Sequence, residues 1–71
     1  MDRQRLKELE STVTHIARCR YAIERQQLLI RQLEAEGRDL ADARALLASL
    51  QRSLLQKLKE RDSISSKLES C

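Results

Sequence analysis

His15 and Cys19 are the residues of this chain whose types and spacing come nearest to chemistry. Four positions apart, they would share one face of a helix and could offer an imidazole and a thiolate to one metal ion. A closed site takes about four ligands. The chain has no second His, and its other thiol is Cys71, far along the sequence. His15 with Thr14 or Cys19 is also the one nucleophile–base pairing on offer. Nucleophilic catalysis needs an orienting group and a concave pocket as well. The expectation is no catalytic residue, no cofactor and no metal, with Cys19 a small core residue.

The elements that would carry these side chains are helices. The chain has 71 residues, no Pro, Trp or Phe, one Gly and one Tyr, and 35% of its residues are charged. Chains rich in Leu, Ala, Glu, Lys, Arg and Gln, and poor in turn formers, are helical or coiled-coil. Apolar residues recur in the first half as Leu6, Leu9, Val13, Ile16, Ile23, Ile30 and Leu33, in steps of three, four or seven. The second half keeps a strict alternation of three and four through Leu40, Ala43, Leu47, Leu50, Leu54, Lys57, Arg61, Ile64, Leu68 and Cys71. Between them stands Gly37-Arg38-Asp39. Gly suits the left-handed position past a helix end, Asp39 suits an N-cap, and Asp42 places negative charge in a first turn.

These signals predict an all-α chain: one antiparallel two-helix hairpin, with a helix over about 2–36, a turn at 37–39 and a helix over about 40–69. One continuous helix is the alternative, since a single Gly costs only about 1 kcal/mol inside a helix. Matching apolar to apolar across the hairpin gives pairs whose numbers sum to about 77, such as Ile30 with Leu47, Ile23 with Leu54, Leu9 with Leu68 and Leu6 with Cys71. The weak point of that register is its middle, where Arg20 meets Lys57 and Ile16 meets Arg61. Like charges are not buried together unpaired, so Cys19 and Leu58 are expected to turn inward while Arg20 and Lys57 reach outward.

Further apolar residues flank the seam: Ala22 and Leu29 on the first helix, Leu46 and Leu55 on the second. A stripe this wide suits helices with more than one neighbour. The expected assembly is a homodimer forming a four-helix bundle, with another helical protein as a further partner. Its core and interface would comprise Leu9, Val13, Ile16, Ile23, Leu29, Ile30 and Leu33 with Leu46, Leu47, Leu50, Leu54, Leu58, Ile64 and Leu68.

The net charge is +3, and the acids crowd towards the loop and the open end. Arg18, Arg20, Arg25, Arg44, Arg52, Lys57 and Lys59 would form a basic belt between them, a candidate anion-binding surface for an acidic partner or nucleic acid. Without aromatics for base stacking or any DNA-reading motif, nucleic acid is the less favoured partner. The N-terminal residues lead into no continuous apolar run, so neither a signal peptide nor a membrane span is expected, and a reducing, cytoplasmic setting follows.

The blocks His15-Ile-Ala-Arg18, Ile23-Glu-Arg-Gln-Gln-Leu-Leu-Ile30, Leu33-Glu-Ala-Glu-Gly37-Arg-Asp39 and Ala43-Arg-Ala-Leu-Leu47 resemble a group of short helical proteins frequent in alphaproteobacteria. The resemblance covers roughly positions 15–62, and its most specific element is the Gly-x-Asp turn. It implies a helical hairpin and brings no catalytic residue. In that group a Thr follows the Asp, and an aromatic and then a His stand in the second helix. This chain has Leu40, Leu50 and Lys57 in those places.

Overall fold

The computed structural model describes residues 3–69, which form two helices, α1 (Arg3–Ala35) and α2 (Ala41–Glu69). They lie against one another as an antiparallel hairpin. The expected helix start at residue 2 and the pairing of Leu6 with Cys71 fall outside the described residues.

The turn is built from backbone hydrogen bonds. Arg38 N–H donates to Leu33 C=O at 2.9 Å, and Gly37 N–H donates to Glu34 C=O at 3.1 Å. This pair of bonds is the Schellman motif, which satisfies carbonyls that the end of α1 would otherwise leave open. It requires a left-handed residue, and Gly37 has φ +71°. Asp39 then accepts the Ala41 N–H on Oδ1 at 3.0 Å, and the first helical bond of α2 runs from Arg44 N–H to Leu40 C=O at 2.9 Å. Asp42 stands in the first turn of α2 and Lys67 in its last, each favoured by the helix dipole. A Cβ at Gly37 would meet open space, so only the dihedral opposes substitution. Gly37→Ala is expected to lower stability by about 1–2 kcal/mol. A shift in urea midpoint at constant slope would report it, and an unchanged midpoint would deny the turn this role.

The seam repeats without a break. In α1 the inward positions are Arg5, Leu9, Thr12, Ile16, Cys19, Ile23, Gln26, Ile30 and Leu33, all buried or half-buried. In α2 they are Leu40, Ala43, Leu47, Leu50, Leu54, Lys57, Arg61, Ile64 and Leu68. Both series alternate steps of three and four, the spacing that keeps one face of each helix on its neighbour.

The register differs from the apolar match by one turn. Gln26 Nε2 donates to the Ala43 carbonyl at 2.9 Å across the buried seam. With pairs summing to about 77, Ala43 would sit about 12 Å along the axis from Gln26, beyond the reach of its side chain. The grooves beside the seam agree. Glu8, Ser11 and Thr12 share one with Glu60, Ser63 and Ile64, while Ala22, Gln26 and Leu29 share another with Leu46 and Leu50. Facing residues therefore sum to about 73. Ile16 meets Lys57, Cys19 meets Leu54, Ile23 meets Leu50, Ile30 meets Ala43 and Leu9 meets Ile64.

This register removes the expected clash. Arg20 is exposed on the flank and faces no seam cation. Lys57 stays in the seam rather than reaching outward, and its Nζ pairs with Glu60 at 3.2 Å one turn on. Cys19 and Leu58 are half-buried. Val13, expected in the seam, is 48% exposed, because Thr12 holds the inward position.

The core is thin. Ile16 and Ala43 are the only buried apolar side chains among the described residues, joined by Thr12 and Gln26. No described buried side-chain polar atom lacks a hydrogen-bond partner.

Candidate functional site

Among the described residues seven large apolar side chains stand exposed: Leu6, Val13, Tyr21, Leu28, Leu29, Leu46 and Leu55. Helical spacing sorts them around the seam. Leu29 and Leu46 lie on one flank with Ala22, and Tyr21 and Leu28 stand on the back of α1. Leu6, Val13 and Leu55 lie on the other flank.

The first flank is an open groove of about 770 Å³ in the half nearer the turn. Ala22, Leu29 and Leu46 line it, Gln26 and Leu50 from the seam form its floor, and Tyr21, Glu24, Arg25, Leu28 and Gln32 complete its lining. Leu29 and Leu46 stand at almost the same height, one on each helix. Arg25 is tied to this lining. Its Nη1 donates to the Tyr21 hydroxyl at 3.1 Å, and its guanidinium lies 5.7 Å from the ring centroid. That hydrogen bond, with the charge interaction with Tyr21, raises the guanidinium's pKa above its ordinary value. A second, smaller groove nearer the open end is lined by Glu8, Ser11, Thr12, Glu60, Ser63 and Ile64.

The expected basic belt is not one surface. Arg18 and Arg25 lie on the groove side of α1, whereas Arg20 and Arg44 lie on the opposite flank. Arg52 and Lys59 face outward from the back of α2, and Lys57 is half-buried against Glu60. These seven cations therefore surround the rod and do not converge on one phosphate-sized site.

His15 Nδ1 lies 3.0 Å from the Ser11 carbonyl and is exposed, while Cys19 faces α2 in the seam. Among the described residues no three His, Cys, Asp or Glu side chains could hold a metal ion together. No helix among the described residues is long and apolar enough to cross a membrane.

The remaining expected interface residues divide by position. Leu9, Ile23, Ile30, Leu33, Leu47, Leu50, Leu54, Ile64 and Leu68 are half-buried between the helices, and Ile16 is buried there. Leu29 and Leu46 are exposed on the groove. The seam roles of Thr12 and Gln26 escaped the apolar reading because both are polar. The unbroken three–four count was the signal that could have found them. No family model, curated protein or solved structure matches the chain.

Proposed function

We propose that this chain is a non-enzymatic self-association module, in which hairpins pair into a four-helix bundle that serves as a docking element for helical proteins. The observation that carries this reading is the imbalance between core and surface among the described residues: two buried apolar side chains against seven large exposed ones.

Magnitudes support it. A compact monomer of 8.3 kDa would expose about 4,600 Å², whereas this chain exposes 5699 Å². The radius of gyration is 16.3 Å, against about 11 Å for a compact domain of this length. The excess area is roughly 1,100 Å², and a standard interface removes about 800 Å² from each partner. A second copy could therefore cover what one hairpin leaves open.

Sedimentation equilibrium tests the reading. The expected mass is twice 8.3 kDa at concentrations of about 100 µM, with dissociation on dilution. A mass of one chain throughout would contradict it.

A further inference from the structure

We infer that the groove side of the hairpin is a two-fold interface for a second copy of this chain, with the axis along the rod and both turns at one end. This rests on the self-association proposed above and names the face and the geometry.

Three observations lead to it. The first is the placement of Leu29 and Leu46. One stands on each helix at nearly the same height, both line the groove, and both are about half exposed. A two-fold axis along the rod lays α1 of one copy over α2 of the other. Leu29 then meets the second copy's Leu46, and the reverse contact follows by symmetry, as a self-complementary interface requires. On the opposite flank, Leu6 and Val13 stand on the open half of α1, and Leu55 has no large exposed apolar residue beside it at its own height.

The second observation is charge. Glu8, His15, Ala22 and Leu29 recur every seven residues along the groove side of α1, and Leu46, Ser53, Glu60 and Lys67 do so along α2. With both turns at one end, Leu29 faces Leu46, Ala22 faces Ser53, His15 faces Glu60 and Glu8 faces Lys67 across the copies. No like charges oppose one another. In the reverse arrangement, with the turn of one copy at the open end of the other, Leu46 would be laid on Glu60 and Leu29 on Ser11. Covering the Glu60 carboxylate, which Lys57 holds at 3.2 Å, with leucine is unfavourable and disfavours that geometry.

The third observation is area. The rod is 55 Å long. A face two helices wide along its whole length is of the size that a stable dimer covers, about 800 Å² per partner.

Two variants and one distance test the inference. Leu46→Asp places a charge at the centre of the proposed face at a site 51% exposed in the single hairpin, so the hairpin itself should keep its helicity. It is expected to weaken association by roughly 100-fold or more, giving the mass of one chain where the wild type gives two. Leu55→Asp, at a site 58% exposed on the other flank, is expected to leave the mass unchanged. A spin label on Arg38→Cys, in a background with Cys19→Ala and Cys71→Ala, should report about 15–30 Å between the two turns. Retention of the dimer by Leu46→Asp, its loss in Leu55→Asp, or a turn-to-turn distance above about 50 Å would each overturn the inference while leaving self-association standing. A wild type that is monomeric throughout would overturn the self-association reading and this inference with it.

Discussion

Ile16→Ala is expected to lower the unfolding free energy by about 2–4 kcal/mol and the melting temperature by roughly 10–25 °C. Ile16 is 6% exposed, the more buried of the two buried apolar side chains among the described residues. It packs in the layer of Lys57, between the Thr12–Arg61 and Cys19–Leu54 layers, where apolar neighbours are few. Truncation removes apolar area that no adjacent leucine can replace. Two effects limit the loss. Ala is the better helix former by about half a kcal/mol, and water can enter so thin a core more readily than a large one. Thermal and urea unfolding followed by circular dichroism would measure the change. Val13→Ala serves as a control, being exposed on the flank, and should shift stability by less than about 0.5 kcal/mol. A loss at Ile16 no larger than at Val13 would mean that the seam is not the core.

Lys57→Leu is expected to act in the opposite direction, raising stability by about 1–2 kcal/mol. The lysine holds a seam position facing Ile16. Its ammonium pairs with Glu60 at 3.2 Å, with the two side chains 33% and 40% exposed. An ion pair so open to solvent contributes less than about 1 kcal/mol. A leucine there would cover apolar surface along Ile16 and extend the run from Leu50 and Leu54. The melting temperature should rise by roughly 5–10 °C, with the assembly mass unchanged. A lower melting temperature would show that the ion pair outweighs apolar burial. A changed mass would give this polar layer a part in setting the oligomeric state.

The hairpin itself was legible in the sequence. Gly37, Asp39 and Asp42 are stop and start signals whose chemistry is local, and the Schellman bonds and the Asp39–Ala41 bond follow from them. The α2 seam was legible for a similar reason, since its apolar residues keep heptad spacing on their own. The α1 seam was less so. Leu6 and Val13 are apolar but lie one position off the inward line, whereas Thr12 and Gln26 are polar and lie on it. A search for apolar partners takes up the first pair and passes over the second, and the register then slips by one turn. What holds the true register is partly a hydrogen bond between Gln26 and the Ala43 carbonyl, a contact between residues 17 apart that hydropathy cannot report. The continuous helix loses for a related reason. Extending the α1 line past Leu33 leads through Gly37 and Leu40 to Arg44 and Gln51, whereas the α2 seam uses Ala43 and Leu50.

The groove was legible only as an excess of apolar residues. Ala22, Leu29 and Leu46 were recognisable as too many for a two-helix seam, but their convergence on one flank depends on the register. The basic belt was a projection of charge along the chain. Once the helices turn, its members point in several directions, because cations seven apart share a face and those two or five apart do not.

In the proposed assembly one hairpin leaves its apolar surface unfinished and a second copy completes it. Thermal unfolding of the wild type over a range of about 1–200 µM chain tests this most directly, because association favours the folded state by mass action. The melting temperature is expected to climb steadily with chain concentration. A melting temperature independent of concentration, with a mass of 8.3 kDa throughout, would contradict it.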